Sequence, residues 1–390
     1  MASRFEYGTI SSPEDSRTLG MILQQCFNSS TEASEAYRAR LGLENFRAVR
    51  QAGQIAGGLA ILPMGQWFGG QCVPMAGIAA VGVAPEHRGS GAALTLMQHT
   101  LQELASQGVA LSVLYPATQY FYRQVGYEQG GVRYDWEIST DSIHLKDRPL
   151  PIIPIHDDPL RHEVFANLYH QQAKANNGCL ARNIAIWKGI FEPPFYAYLI
   201  GEEADPEGYL IFNQIQENNR IIIHIRDWVL LTPAAIQRFW SFLANHRSMV
   251  EKVRWHHSTF DSLTFLLDER TTKINHVGHW LLRIVDVQKA LEKRGYPKGI
   301  ETELHLEVQD DLLTQNNGKF ILKVSAGQGE VRPGGRGELC LPIRSLSPLY
   351  SGLFTPEQLQ RSGQLQATAK ALSAATQLFS GSLPWMPDFF

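Results

Sequence analysis

Cysteine is scarce in this chain. Only Cys26, Cys72, Cys179 and Cys340 occur among 390 residues, far apart and with no C-x-x-C pair. That spacing argues against a disulfide framework and against a cysteine-based zinc site. Long apolar runs are lacking too: none approaches the ~18 residues of a membrane-crossing helix. The opening stretch "MASRFEYGTISSPEDS" has no apolar segment of the kind a secretory leader carries. These absences predict a cytoplasmic protein with no membrane partner. A basic surplus is also missing, since the net charge is −3, and this argues against a nucleic-acid partner. Thirteen histidines are present, but the closest groups, "WHH" at 255–257 and "HVGH" at 276–279, have no carboxylate or cysteine at ligand spacing. No metal is expected, because a site needs three or four converging ligands.

What is present is a folded composition, with 44% hydrophobic and 19% charged residues. The length suggests about two to three domains. The most informative stretch runs "GIAAVGVAPEHRGSGAALTLMQHTLQELASQGVALSVLYP". "IAAVGVA" is small and β-branched and predicts a buried strand that Pro85 ends. Leu94, Met97, Leu101 and Leu104 then recur at helical spacing, and Gly108 is placed to stop that helix. "VALSVLY" predicts the next strand. In the turn "HRGSGAA", Gly89, Ser90 and Gly91 let backbone N–H groups at the helix start point outward, which makes an anion site. The pattern has too few glycines for a dinucleotide fingerprint and no Lys-Ser/Thr for a nucleotide P-loop. A glycine-rich helix cap with no ligand is the plainer alternative.

Arg88-x-x-Gly91-x-Ala93 resembles the acetyl-CoA pyrophosphate loop of the GNAT acetyltransferases, Q/R-x-x-G-x-G/A. "TQYFYRQVGYE" resembles the short helix and following strand of the same family. The resemblance implies an α/β acetyltransferase fold. It implies that the edge of Val81, Gly82 and Val83 pairs with the pantetheine arm like an added strand. It implies that Arg88, Gly89, Ser90, Gly91, Ala92, Ala93 and Leu94 take the pyrophosphate, with Ala117 and Thr118 completing the cofactor site. It gives Tyr122 the role of acid to the departing thiolate, since a phenol's pKa is near a thiol's. The alternative for Tyr122 is a tyrosine packed on the sheet.

Residues 151–285 echo this pattern. "RIIIHIRDWVLLTPAAIQRFWSFLANH" predicts a strand followed by a helix, with Thr232 as cap and Pro233 as first helical residue. Ile236, Phe239, Trp240 and Leu243 form its apolar face. "LLTPAA" has neither glycine nor arginine, and Pro233 lacks an N–H, so a degenerate GNAT-like domain without a cofactor site is expected. After "ALEKRGYPKG", the segments "ELHLEV" and "KFILKV" alternate as strands about the turn "TQNNG". "GEVRPGGRGELCLP" reads as a hairpin, and "TPEQLQRSGQL" and "TAKALSAATQLF" as helices. This order resembles a sterol-carrier-like α+β domain. The expected organisation is therefore α/β and α+β: 1–150 and 151–285 as tandem GNAT-like domains, then 286–390.

The chain as a whole resembles the Eis (enhanced intracellular survival) family of bacterial acetyltransferases. The match is carried by "VGVAPEHRGSGAAL", "FYRQVGYE", "LLRIVDVQKALEKRGYP", "LSPLYSGL" and the final "DFF". The resemblance implies a homo-hexamer and amine acceptors, either aminoglycosides or lysine-like amines. It also gives the role of base to the α-carboxylate of Phe390. On the residues alone, an apolar plug is the favoured reading of "PWMPDFF", and the resemblance reverses that order. Phe27 and Tyr37 are candidate lining of the acceptor pocket, with Glu32, Glu35 and Asp388 as acidic contacts. Phe389 stands where some relatives carry an acid. The leading expectation is an acetyl-CoA-dependent N-acetyltransferase without metal, working by direct transfer in a ternary complex. An apolar-ligand binder with a vestigial acetyltransferase half is the alternative, and a structural oligomer a third.

Overall fold

The structure is a computed structural model that describes residues 4–10, 12–156, 163–258, 262–269 and 271–390. The first third runs β1 (Glu6–Thr9), α1 (Pro13–Phe27), α2 (Thr31–Leu41), β2 (Phe46–Gln51), β3 (Gln54–Phe68), β4 (Gln71–Val83), α3 (Ala92–Ser106), β5 (Leu111–Leu114), α4 (Gln119–Arg123) and β6 (Glu128–Ser139). Ser12 and Ser30 start α1 and α2 by accepting hydrogen bonds from the amides of Asp15 and Ala33. The middle third runs β7 (Ile152–Ile155), α5 (Glu163–Lys174), β8 (Leu180–Ala181), α6 (Ile184–Ile190), β9 (Tyr196–Glu202), β10 (Asp205–Glu217), β11 (Arg220–Leu230), α7 (Pro233–Ala244), β12 (Val250–His257) and β13 (Lys273–Ile284). The last part holds α8 (Val287–Lys293), β14 (Thr302–Gln309), β15 (Gly318–Ser325), β16 (Gln328–Pro333), β17 (Leu339–Pro342), α9 (Ile343–Ser351), α10 (Pro356–Arg361), β18 (Gln366–Ala367) and α11 (Ala369–Phe379).

These elements form two compact units. The first gathers the residues up to Gly130, Trp280–Ser382 and Phe390; the second gathers Gly131–His279 and Leu383–Phe389. In the first, β1-β2-β3-β4-β5 form a sheet that is continued by the end of β13, where Leu281–Ile284 run antiparallel to Leu111–Leu114. Helix α3 lies on it, with Leu96, Met97, Leu101 and Leu104 buried against Leu59, Ile61 and Ile78. Leu94, expected on the buried face, is only partly covered, and Leu96 takes the central place.

The same unit carries a second sheet in the order β16-β15-β14-β17-β18. Here the sequence misleads. β16 and β17 do not form a hairpin: β16 pairs with β15, whereas β17 runs parallel to β14 on its other side. Gly334, Gly335 and Gly337, all at positive φ, carry the chain across the sheet instead of turning it back. Arg283, at the end of β13, joins the two sheets. It donates to both carboxylate oxygens of Asp310, which also accepts the amides of Leu312 and Leu313, and the pair is fully buried.

In the second unit the sheet order is β6-β12-β11-β10-β9-β7. β11 and β12 are parallel and α7 crosses between them, burying Phe239, Trp240 and Leu243, while Ile236 is half-buried. The start of α7 is already occupied. Thr232 caps the amide of Ala235, Pro233 has no N–H to offer, and the Thr232 hydroxyl donates to the Glu207 carboxylate. An anion arriving there would meet a carboxylate and one fewer donor.

Candidate functional site

The site begins with one extra residue in β4. Gly58 and Ala60 of β3 face Gly82 and Ala79 of β4, so β4 carries a bulge, and Ala80 takes it up at φ 52°. A bulge bends its strand and increases its twist. Parallel pairing of β4 with β5 spans Met75–Gly77 against Leu111–Val113, and among the described residues it goes no further. Beyond that point the two strands part. The β5-facing edge of Ile78–Val83, which contains Val81, Gly82 and Val83, is left without a strand partner among the described residues. An unpaired strand edge is what an extended amide-bearing arm pairs with.

The chain then passes a short 3-10 turn at Pro85–His87 and reaches the glycine loop. Gly89 (φ 72°) and Gly91 (φ 93°) are both left-handed, a conformation other residues adopt only with strain. A Cβ at either glycine would meet nothing within 4 Å, so the space a side chain would enter there is open. Ser90 folds back, its hydroxyl donating to the His87 carbonyl at 2.5 Å. Gly91 is the N-cap residue of α3 and has no side chain to offer a cap, and its carbonyl receives the amide of Thr95. The amides of Ala92, Ala93 and Leu94 therefore have no acceptor within the helix and sit at its positive end. Arg88 is exposed beside them. Ala117 and Thr118, also exposed, lie between β5 and α4, where the strands have parted.

Tyr122 lies on α4, 6% exposed, with edge-on contacts to Phe121 and Tyr127. Its hydroxyl bonds to no described residue. Burial pushes its pKa up to about 12. The expected match to a free thiol is therefore lost, and the group is a phenol, not a phenolate, at neutral pH. The helix is short, and its end is closed tightly. The amides of Val125 and Tyr127 both bond to the Tyr122 carbonyl. Arg283 donates to the Val125 carbonyl at 2.9 Å and occupies the space a side chain at Gly126 (φ 88°) would need, 2.7 Å away. The glycine of the "FYRQVGYE" motif is thus required twice, by its dihedral angle and by an arginine.

Phe390 is 7% exposed. Its ring lies edge-on to Tyr115 at 6.2 Å, and a Cβ at Gly77 would come within 2.7 Å of it. Gly77 is the last β4 residue paired with β5, so Phe390 sits at the fork where the strands part. The structure thus brings Val81–Val83, the glycine loop, α4 and Phe390 to one end of the first unit's sheet.

The residues before Phe390 are anchored in the second unit. Trp385 bonds to Asn177 and stacks on Trp228. The expectation that Asp388 contacts an acceptor meets a different geometry. Its carboxylate is buried, receives Arg182 Nε at 2.9 and 3.1 Å, and accepts the Tyr169 hydroxyl at 3.2 Å. Burial raises its pKa, and Arg182 opposes the rise. Arg182 also holds Asp227 with two hydrogen bonds and lies 3.5 Å over the Tyr169 ring. This network ties down the end of the chain, and nothing in the sequence spacing pointed to Arg182. Phe27 is exposed at the end of α1, Glu32 and Glu35 are exposed on α2, and Tyr37 lies half-buried beside Arg40. In the second unit His256 bonds to Asp135 at 2.7 Å, a carboxylate partner that sequence spacing hid. Among the described residues no group of three or more potential metal ligands forms.

Family models for an acetyltransferase (GNAT) domain match residues 12–130 and again 178–284, and a model for a sterol carrier protein domain matches 287–387. A solved GCN5-related N-acetyltransferase from Anabaena variabilis is 54% identical with a TM-score of 0.97, covering 99% of this chain and 100% of that one. An uncharacterized N-acetyltransferase of Streptomyces avermitilis is 27% identical over 355 residues, 83% of each chain. The N-acetyltransferase Eis of Mycobacterium tuberculosis is 24% identical over 335 residues, 81% of each chain. The chain belongs to the GCN5-related N-acetyltransferases, in the Eis-like form that joins two acetyltransferase domains to a sterol carrier protein domain. It is an enzyme of that family, which uses acetyl-CoA.

Proposed function

We propose that the chain transfers the acetyl group of acetyl-CoA to a primary amine by direct attack in a ternary complex. The observation that carries this is the parted β4 and β5 beside an open left-handed glycine loop at the start of α3. The amides of Ala92, Ala93 and Leu94, with Arg88, take the pyrophosphate. Val81, Gly82 and Val83 pair with the pantetheine arm, and Ala117 and Thr118 flank it. The amine nitrogen attacks the thioester carbon, the C–S bond breaks, and Tyr122 gives its proton to the leaving sulfur. Tyr122 is protonated at working pH, as an acid must be. The amine's own proton goes to the α-carboxylate of Phe390, the role the family resemblance implies. The burial of Phe390 at the fork supports that role. The domain assignment that accompanies this reading is 1–150 for the cofactor-binding domain, 151–285 for the degenerate one and 286–390 for the sterol-carrier-like one.

Aminoglycosides and lysine-like amines are the acceptor classes, with exposed Phe27, Glu32 and Glu35 and half-buried Tyr37 as the side chains to vary. The four thiols are free, which suits a reducing compartment such as the cytoplasm. No helix among the described residues is long and apolar enough to cross a membrane. A homo-hexamer is the assembly to test by light scattering. The central experiment is a thiol-release assay with acetyl-CoA across a panel of amines. Amine-dependent release that requires Tyr122 supports the reading, and release indifferent to every amine rejects it.

A further inference from the structure

A cavity in the first unit shares only the helix α4 with the site described above. It measures about 490 Å³, within the usual ~300–1,000 Å³ range of small-molecule sites. One wall is Arg123 of α4 with Glu128 and Gln129 of β6; the other is Arg344, Ser345 and Pro348 of α9 and the turn that follows. That turn brings Phe354, and α10 brings Gln358 and Leu359. The acetyltransferase part and the sterol-carrier-like part of the unit therefore share it.

The lining combines apolar surface with a charged cluster. Arg123 donates to one oxygen of Glu128 at 2.7 Å and Arg344 to the other at 2.8 Å. Burial alone would raise the Glu128 pKa, but these bonds hold it below the usual range, so it is ionised. Two guanidiniums against one carboxylate leave one positive charge. The donors are not exhausted either. A guanidinium has five N–H groups, and the Arg123 and Arg344 side chains each keep more than a third of their surface exposed. The amides of Gln129, Gln358 and Gln364 and the hydroxyls of Ser345 and Ser362 supply donors and acceptors around the rest. Only Pro348, Phe354 and Leu359 are apolar.

We infer that this cavity binds a small organic monoanion, a carboxylate carrying several hydroxyl or amide groups, with the carboxylate on Arg344 and Arg123. The compartment that the sterol-carrier-like domain presents to the acetyltransferase domain is thus a polar, cationic one. Glu128, with both oxygens taken, keeps the two arginines in place and is not itself the ligand's partner. The ring of Phe354, partly exposed, offers a face for the ligand's carbon skeleton.

The test is calorimetry on the full chain with three probes: sodium glucuronate, uncharged glucose and sodium octanoate. Glucuronate is expected to bind at least about tenfold more tightly than glucose, a difference of about 1.4 kcal/mol. Arg344→Gln should erase that difference, since Arg123 still pairs with Glu128 and the fold survives. Phe354→Ala, at a partly exposed turn, is a second variant expected to weaken glucuronate. Tyr122→Phe should leave the affinity unchanged. Absence of glucuronate binding, equal affinity for glucose, or an unchanged Arg344→Gln protein would overturn the site. Octanoate binding more tightly than glucuronate would overturn the polar class of ligand.

Discussion

Replacing Gly91 in two ways separates backbone strain from charge. At φ 93° and ψ −2° the position is left-handed, and a Cβ there meets nothing within 4 Å. Gly91→Ala therefore costs about 1–2 kcal/mol of strain and no collision. Gly91→Asp costs no more, because aspartate tolerates this conformation better than alanine does. The two variants should melt at similar temperatures. They differ in what they present to a pyrophosphate. A carboxylate about 4 Å from one phosphate charge costs from ~1 kcal/mol in water to ~4 kcal/mol near a protein surface, and a pyrophosphate carries more than one charge. Calorimetry with acetyl-CoA should therefore show Gly91→Asp binding at least about tenfold more weakly than Gly91→Ala. Added salt should narrow the gap, as screening requires. Equal affinities for the two folded variants would refute the placement of the pyrophosphate at this helix start.

Three further outcomes follow from the same geometry. Tyr122→Phe should lower kcat by about 10²–10⁴-fold at constant acetyl-CoA affinity; because burial raises the phenol's pKa from 10.0 to about 12, its share of the stability is full below pH 10 and lost as pH rises through 12, so the alkaline decline, to which other buried tyrosines also contribute, should be shallower in a Tyr122→Phe melt series. Arg182→Met leaves Asp227 and Asp388 buried and uncompensated, so urea unfolding should show a loss of about 3–5 kcal/mol, and adding Asp388→Asn should recover part of it. One glycine added after Phe390 moves its carboxylate by about 3.5 Å, so turnover should collapse while melting temperature and acetyl-CoA binding hold; full turnover would return the base to a side chain or water.

The parts of this site that were legible in the sequence are those where one residue type answers one local demand. Glycine at 89 and 91 signals left-handed backbone, and the spacing of Met97, Leu101 and Leu104 signals a helix face on a sheet. Thr232 and Pro233 announced a helix start with no room for an anion. The bulge left no such mark, because Ala80 is an ordinary strand residue and only its pairing against Gly58 and Ala60 reveals the extra position. Arg182 was hidden because its partners, Asp227 and Asp388, are distant in the chain. Asp388 was read as an acceptor contact for the same reason: its acidity is visible in sequence, its burial is not. The stretch 328–342 looked like a hairpin because its glycines do mark a change of direction, but they cannot say which neighbour the next strand will choose.

The pairing of Leu281–Ile284 with Leu111–Leu114 also governs the order in which the enzyme can be made. During synthesis, β5 leaves the ribosome long before β13 exists. Until then its apolar side chains stand at an open sheet edge, the kind of edge that recruits other chains. Arg283, which holds the carbonyl after the Tyr122 helix, arrives with the same late strand. A nascent chain therefore has its glycine loop long before the helix that carries Tyr122 is held in place. Expression of residues 1–150 alone would trap that unfinished state, and aggregation of the fragment is the natural result.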